Sequence, residues 1–196
     1  IVKCTYQIRN KYLIIKYEYK SDKRTHVNLT NHSYWNLEKN KKKMIYNHDL
    51  KLNSHKYLQI NKYLIPTGVF KKVKNSIYDF LSFENIGKKL NYFKKKKLNA
   101  KFKGFDTTFV IKKNSRNFVG SLKNNKSNIE VNFFSNLPGV QLYSAQNLKY
   151  KKKLFPYQGI CLETQYFPDT PNKRNFPSTL IKPNKRYTCF TKIKIT

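Results

Sequence analysis

The residues of this sequence best suited to proton transfer are one histidine and one carboxylate. His32 lies within residues 28–37, where amide and hydroxyl side chains can fix the orientation of its ring. Glu163 lies in an otherwise apolar run and shares an alternating face with Cys161 and Gln165. Alone, such a histidine is more often structural and such a glutamate more often faces solvent. Together, an imidazole and a carboxylate near a ligand can act as general acid and general base.

Other polar and aromatic residues favour a sugar as that ligand. Tyr34 and Trp35 follow the histidine directly, and aromatic rings pack well against the C–H faces of hexoses. Asp106 stands between aromatic residues where a strand is predicted to begin, although Gly-x-Asp is also a common turn. Gln141 lies in a further predicted strand that is followed by polar residues. Each of these signals is weak by itself.

These residues require a sheet to position them, and the sequence predicts one. Apolar and polar residues alternate with a period of two, which is typical of half-buried strands. Strands are predicted at Tyr12–Tyr19, Thr107–Ile111, Phe118–Leu122, Asn128–Phe134, Val140–Ser144, Gly159–Thr164 and Arg186–Ile195. We find no sustained helical period, and residues 39–43, 87–103 and 169–175 read as irregular. The pattern predicts one all-β domain, an antiparallel β-sandwich or a related fold.

The formal net charge of +31 raises the possibility of a polyanionic partner such as nucleic acid. The lysines, however, are scattered in short runs along the chain, and arginine, the residue that reads bases with two hydrogen bonds, is rare. Lys, Asn, Ile, Tyr and Phe are enriched together, as A/T-rich codons would produce. We therefore expect weak, non-specific attraction to polyanions and no specific nucleic-acid site.

Three cysteines are widely spaced along the chain, at Cys4, Cys161 and Cys189. This arrangement fits neither a disulfide framework nor a metal-binding motif, and all three are predicted to be small buried side chains. A reducing, cytoplasmic location fits best. No apolar run approaches the length of a membrane span, and no signal peptide is recognised. The start at Ile1 within strand-like sequence suggests a shortened N-terminus.

Four segments, residues 28–37, 104–109, 138–147 and 159–183, taken together resemble the aldose 1-epimerase family. The Asn-Leu-Thr-Asn-His-Ser-Tyr block at residues 28–34 and the Leu-Glu-Thr-Gln block at residues 162–165 are distinctive. The second block continues through Pro-Asp at 168–169, Asn172 and Phe-Pro-Ser at 176–178. Ile-Pro-Thr-Gly at residues 65–68 also matches. The resemblance extends from about Val2 to the C-terminus.

The resemblance implies a fold, an activity and roles for individual residues. Residues 1–196 would form one antiparallel β-sandwich of the galactose mutarotase-like, or supersandwich, type without its N-terminal part. The chain would interconvert the α and β anomers of free hexoses such as galactose and glucose, without cofactor or metal. His32 would be the general acid toward the ring oxygen and Glu163 the general base on the anomeric hydroxyl. The resemblance also implies substrate contacts for residues Asp106, Asn31, Tyr34 and Gln141.

The sequence departs from the family pattern in ways that leave alternatives open. A substrate-binding arginine and a second histidine, which the family carries in an N-terminal segment, have no counterpart here. Thr107 stands where the family usually has histidine, and Trp35 stands where it usually has phenylalanine. A non-catalytic carbohydrate-binding remnant is therefore one alternative. A hexose-6-phosphate 1-epimerase is another, because the positive charge would suit a phosphate. Membrane association is not expected, and the oligomeric state is open.

Overall fold

Antiparallel strands dominate the computed structural model of the protein, which describes residues 1–96, 103–113, 116–151 and 153–196. A seven-stranded sheet contains, in spatial order, β1 (Val2–Arg9), β2 (Tyr12–Tyr19), β15 (Tyr187–Ile195), β11 (Ile129–Ser135), β10 (Phe118–Asn124), β5 (His48–Leu52) and β8 (Glu84–Asn85). A six-stranded sheet contains β4 (Tyr34–Trp35), β13 (Ile160–Gln165), β12 (Gly139–Tyr143), β9 (Asp106–Val110), β6 (Lys56–Ile60) and β7 (Pro66–Lys72). Strands β3 (Thr25–His26) and β14 (Leu180–Ile181) pair separately.

The apolar faces of the two large sheets share one core. Phe133 of β11 and Leu142 of β12 are nearly or completely buried and belong to the same hydrophobic cluster. Because side chains alternate across a strand, the neighbours of Leu142 in β12, Gln141 and Tyr143, project from the opposite face of the six-stranded sheet. The fold therefore confirms the predicted β-sandwich, and it places a row of polar side chains on the outer face of one layer.

Most predicted strands are confirmed, with boundaries that shift by a residue or two. Strand β2 spans Tyr12–Tyr19 as predicted, and β15 begins at Tyr187, one residue later than predicted. Residues 39–43 contain neither helix nor strand, as expected, whereas the stretch 169–175 contains a short 3-10 helix, Thr170–Asn172. Alternation therefore located strands more reliably than it located loops.

The expectation of no helix was wrong. Helix α1 spans Ile86–Lys96 and occupies part of the stretch predicted to be irregular. Its buried residues Ile86, Leu90 and Phe93 follow the helical spacing of four and three. Lysines surround these three apolar positions and obscure their period. Residues 97–102 of the same predicted stretch lie outside the described residues.

The cysteines only partly follow the prediction. Cys161 and Cys189 are buried, as expected, but Cys4 is exposed. It lies in β1, an edge strand of the seven-stranded sheet, where most side chains on both faces reach solvent. In the part of the chain that the structure describes, no helix combines the length and the apolar character that a bilayer crossing requires.

Candidate active site

A groove of about 410 Å³ opens on the outer face of the six-stranded sheet. This volume falls within the range of small-molecule pockets in proteins. The groove is lined by His32, Tyr34, Asp106, Gln141, Tyr143, Asn147, Glu163, Gln165 and Pro168. Five of the six residues predicted to form a site therefore lie around one cavity, and Asn31 is outside this lining.

Strand β13 forms the floor of the groove because it is paired on both sides, with β12 and with β4. All six of its residues are buried. Glu163 lies opposite Gln141 of β12, and Cys161 lies opposite Tyr143 of the same strand. Cys161, Glu163 and Gln165 thus share one face of β13, as predicted, and Glu163 and Gln165 line the groove, whereas Cys161 is fully buried.

Side-chain hydrogen bonds attach the segment that precedes His32 to strand β13 and to Tyr166, the residue after that strand. Asn28 donates its side-chain amide N–H to the carbonyl of Tyr166 at 3.0 Å and accepts the Tyr166 backbone N–H at 2.9 Å. The Thr30 hydroxyl donates to the carbonyl of Thr164 at 3.0 Å. The side chains of Asn28 and Thr30 thus satisfy backbone groups of residues 164 and 166 that a neighbouring strand would otherwise pair with. The polar residues of the block therefore position the histidine without contacting its ring.

His32 and Glu163 approach each other in the groove. The Nδ1 atom of His32 lies 3.7 Å from the Oε1 atom of Glu163, and 53% of the His32 side chain is exposed against 9% for Glu163. The imidazole stacks on Tyr34 with ring centroids 5.0 Å apart and meets the edge of Tyr143 at 6.3 Å. Two aromatic rings and one carboxylate thus hold the imidazole at the rim of the cavity.

The amide and hydroxyl groups expected to orient His32 bond elsewhere. Asn31 donates to the Tyr6 hydroxyl at 3.0 Å and accepts a hydrogen bond from Ser33 at 2.5 Å. Asn36 donates to the carbonyls of Lys43 and Gln158. These hydrogen bonds join the loop to Tyr6, Lys43 and Gln158, and they do not involve the imidazole. Their role in the fold is to shape the loop on either side of the histidine.

A second polar chain runs across β9 and β12. The Thr108 hydroxyl donates to Oε1 of Gln141 at 2.5 Å, and Nε2 of Gln141 donates to Oδ1 of Asp106 at 2.6 Å. Each end of the Gln141 amide therefore has one partner, which fixes the amide orientation and aims its N–H at the carboxylate. A side chain on Gly104 would overlap the hydroxyl of Ser144, so the turn before β9 requires glycine to bring Asp106 to this position.

Burial governs the electrostatics of the two carboxylates. Desolvation raises the pKa of Glu163, which the His32 imidazole partly opposes and the neighbouring Asp106 reinforces. Desolvation also raises the pKa of Asp106, against the hydrogen bond from Gln141 and the nearby His32. Burial likewise raises the pKa of Tyr143 and Tyr34. A carboxyl group with a raised pKa near a histidine in a cleft is typical of a proton-transfer site.

The two aromatic residues that follow His32 in the sequence, Tyr34 and Trp35, point to opposite faces of the sheet. Tyr34 lines the groove, whereas Trp35 points the other way and packs edge-on against Phe133 in the core at 5.5 Å. The expectation that both rings serve a sugar was therefore wrong for Trp35. Alternation along β4 explains the split, and the same rule applied to β12 would have identified Tyr143 as a groove residue.

A larger cavity of about 690 Å³ lies elsewhere, near Phe70, Phe167 and Leu137. Its described lining is apolar with lysine and asparagine side chains, and it contains no histidine, cysteine or carboxylate. We assign the candidate active site to the smaller groove because, of these two cavities, it is the one whose described lining combines a histidine with carboxylates and aromatic rings.

A set of metal-ligand donors, which the sequence spacing did not predict, lies at the groove and includes the fully buried Cys161 beside it. Donor atoms of His32, Cys161 and Glu163 lie within 4.8 Å of one another. Burial raises the pKa of the Cys161 thiol, with the carboxylates of Glu163 and Asp106 adding to the effect.

Sequence comparison places this geometry in a family. The profile of the aldose 1-epimerase family matches residues 1–194. Galactose mutarotase from Rattus norvegicus is 32% identical over 98% of this chain and 56% of its own length. Galactose mutarotase from Homo sapiens is 33% identical over 93% of this chain and 54% of its own length. Aldose 1-epimerase from Escherichia coli is 26% identical over 90% of the chain. The chain thus spans about half the length of these curated relatives.

Solved structures agree on the fold. The aldose epimerase homologue from C. elegans superposes with a TM-score of 0.87 at 24% identity, covering 100% of this chain and 59% of that one. Galactose 1-epimerase from Lactobacillus acidophilus superposes with a TM-score of 0.80 at 22% identity, covering 100% of this chain and 56% of that one. The architecture is therefore of the galactose mutarotase-like type. Because the family profile matches residues 1–194 of the 196 in this chain, the chain belongs to the aldose 1-epimerase family.

Proposed function

We propose that this chain catalyses the interconversion of the α and β anomers of free hexoses such as galactose and glucose. The observation that carries the proposal is the contact between His32 and Glu163, which come from distant parts of the chain and lie 3.7 Å apart in one groove. Family membership and the names of the relatives support the same activity.

The reaction needs one base and one acid. A base takes the proton from the C1 hydroxyl while an acid protonates the ring oxygen, so that the C1–O5 bond breaks and the open-chain aldehyde forms. Rotation about C1–C2 and closure on the other face give the second anomer, with the two protons returned. Because both reacting oxygens are bonded to C1, the acid and the base must be neighbours. The His32 and Glu163 pair meets this requirement.

Each group has a role that suits its surroundings. Glu163 would act as the base, since its raised pKa makes it a stronger proton acceptor than an ordinary surface glutamate. His32 would act as the acid, at the rim where its ring can reach the sugar oxygen. Asp106 would accept hydrogen bonds from sugar hydroxyls, with Gln141 beside it as a donor. Tyr34 would pack against the sugar ring, and Asn31 would contact the substrate from the margin of the groove.

The charge of the groove favours a free sugar over a sugar phosphate. Among the described residues that line it, none is lysine or arginine, and two are carboxylates. A phosphate at this position would meet two carboxylates without a lysine or arginine to pair with, which disfavours binding. The positive net charge of the chain therefore gives no local support for the hexose-6-phosphate alternative.

Polarimetry of freshly dissolved α-galactose and α-glucose tests the proposal. The chain should speed the approach to anomeric equilibrium. Glu163→Gln and His32→Asn should each lower that rate about 10²–10⁴-fold, because a positioned acid or base contributes a factor of this size. Glu130→Gln and His55→Asn are matched controls away from the groove and should retain the parent rate. Retention of the parent rate in Glu163→Gln would refute the assigned base.

A sugar-binding module without catalysis is the second candidate. It is favoured by the open rim of the groove, where more than half of the His32 side chain is exposed. This candidate predicts saturable galactose binding in titration calorimetry together with an unchanged rate of mutarotation. That result would overturn the catalytic proposal while preserving the groove as the binding site.

A further inference from the structure

The groove brings together three different donor types that suit one class of metal ion. A ring nitrogen of His32, the Sγ of Cys161 and a carboxylate oxygen of Glu163 lie within 4.8 Å of one another. Nitrogen, thiolate sulfur and carboxylate oxygen are the ligands that Zn²⁺ takes in proteins. Hard cations such as Mg²⁺ and Ca²⁺ prefer oxygen ligands throughout. The donor set therefore selects a borderline-soft divalent cation.

The separations of the donors are close to those that a single ion requires. Ligand atoms about 2.0–2.3 Å from a tetrahedral zinc ion are separated by roughly 3.3–3.8 Å. The distance of 3.7 Å between His32 Nδ1 and Glu163 Oε1 already falls in this range. Cys161 and Glu163 are two residues apart on one face of β13, which is fixed by pairing on both sides. The three donor atoms lie within 4.8 Å of one another, so coordination of one ion requires the half-exposed His32 side chain to move closer to the other two.

Local charge also favours a cation, even though the chain as a whole is strongly basic. The described lining of the groove includes the carboxylates of Glu163 and Asp106 and contains no lysine or arginine. Repulsion from lysines more than about 8 Å away is largely screened at physiological ionic strength. With three protein ligands, a bound Zn²⁺ would keep a fourth coordination position for water.

We propose that Zn²⁺ binds to His32, Cys161 and Glu163 and thereby closes the groove to hexose. The ion forms bonds to the Nδ1 lone pair, to the carboxylate oxygen and to sulfur, and the thiol proton passes to solvent. The coordinated site carries no net charge, because one thiolate and one carboxylate balance the ion. Metal binding stands independently of the proposed function, whereas inhibition rests on it.

Direct titration of the full chain with Zn²⁺ alone tests the site. Isothermal titration calorimetry should show saturable binding with a stoichiometry of one Zn²⁺ per chain. Cys161→Ser should weaken that binding at least about 10–100-fold, the loss caused by removing even an outer partner of a zinc ligand. Cys4→Ser removes the exposed thiol in another sheet and is the matched control, with unchanged affinity expected.

Cobalt supplies a readout of the ligands themselves. Co²⁺ in this site should show the ultraviolet charge-transfer absorption of a cobalt–thiolate bond, which Cys161→Ser should abolish and Cys4→Ser should retain. Circular dichroism verifies that each variant is folded, and His32→Asn provides a second ligand variant. Equal Zn²⁺ affinity in the parent and Cys161→Ser, or absence of the thiolate band, would overturn the proposal.

Mutarotation separates the two proposals. If the parent is active, Zn²⁺ should slow it, excess hexose should relieve the inhibition, and Cys161→Ser should be much less sensitive. If the parent proves inactive while Zn²⁺ binding depends on Cys161, the proposed function fails and the metal site remains. If the parent is active but insensitive to saturating Zn²⁺, the groove-closing part of the inference is wrong.

Discussion

Strands β13 and β1 lie in different sheets and expose their side chains in opposite ways. Every residue of β13 is buried, including the carboxylate of Glu163. In β1 the apolar side chains Val2, Tyr6 and Ile8 are 55%, 60% and 82% exposed. Yet the register of β1 with β2 directs Tyr6 to the same side of the sheet as the buried Ile15. Residue type alone does not determine burial in either strand.

The difference follows from what lies beside and above each strand. β13 has a strand on either side, the opposite sheet beneath it and the His32 loop above it. β1 forms an edge of the seven-stranded sheet. Burying a carboxylate costs free energy, and an apolar edge strand invites pairing with another chain. The buried carboxylate lies where proton-transfer chemistry is proposed, and the apolar edge strand lies at the margin of the sheet.

Truncating an apolar side chain in each strand should give the largest contrast. Ile160→Ala in β13 should lower the free energy of unfolding by about 2–5 kcal/mol, because it leaves a cavity in the core. Ile8→Ala in β1 should cost less than about 0.5 kcal/mol, because the side chain is already in water. Urea denaturation measures both values. Similar losses in the two variants would show that β1 is covered in solution, and light scattering would then reveal self-association.

A smaller effect should come from the buried charge of β13, and it should depend on pH. Burial raises the folded-state pKa of Glu163 above its unfolded value of about 4.3. The folded state then binds more protons than the unfolded state between these two values, so the parent loses stability as pH rises through that window. Glu163→Gln keeps the side-chain volume but has no such proton. Its stability relative to the parent should therefore increase with pH across the window and be constant above it.

Urea unfolding of the parent and Glu163→Gln at several pH values measures this difference. Glu130→Gln, on the seven-stranded sheet, is the control and should give a difference without that trend, since no comparable burial acts on its carboxylate. A pH-independent difference for Glu163→Gln would show that the carboxylate is solvated in the folded protein. The site would then resemble β1 rather than the interior of a sheet.

Many strands of the sandwich could be predicted from the alternation of apolar and polar residues, because a strand with one buried face has apolar residues at every second position. The run Tyr12–Tyr19 is the clearest case. The same rule placed Glu163 on one face with Gln165, and the register then brings Gln141 of the neighbouring strand opposite Glu163. Helix α1 was missed because only three apolar residues mark its buried side among many lysines.

The surroundings of His32 could not be predicted from neighbours in sequence. Its ring packs on Tyr34 and Tyr143 and approaches Glu163, and two of these three lie far away in the chain. The nearby Asn31 instead reaches back to β1. Contacts of this kind depend on how a loop is fastened across a sheet, which no local period encodes. The exposure of Cys4 has the same origin, since an edge strand and a central strand can have similar sequences.

The weakest expected effect concerns the link between β1 and the loop that carries His32. The Asn31 amide donates to the Tyr6 hydroxyl at 3.0 Å, and the Tyr6 side chain is largely exposed. Tyr6→Phe removes this hydrogen bond, but water can replace the partner. We expect a loss of unfolding free energy at or below about 0.5 kcal/mol, the lower end for a hydrogen bond. The rate of mutarotation should change by less than about threefold, which corresponds to a similar free energy.

A double-mutant cycle of Tyr6→Phe with Asn31→Ala isolates this contact, and both stability and mutarotation can be measured for its four proteins. The expected coupling in either quantity is a few tenths of a kcal/mol. A tenfold or greater fall in rate with normal stability would mean that β1 holds the His32 loop in its working position. The exposed edge strand would then belong to the support of the site, and the contrast between β1 and β13 would be one of exposure only, not of function.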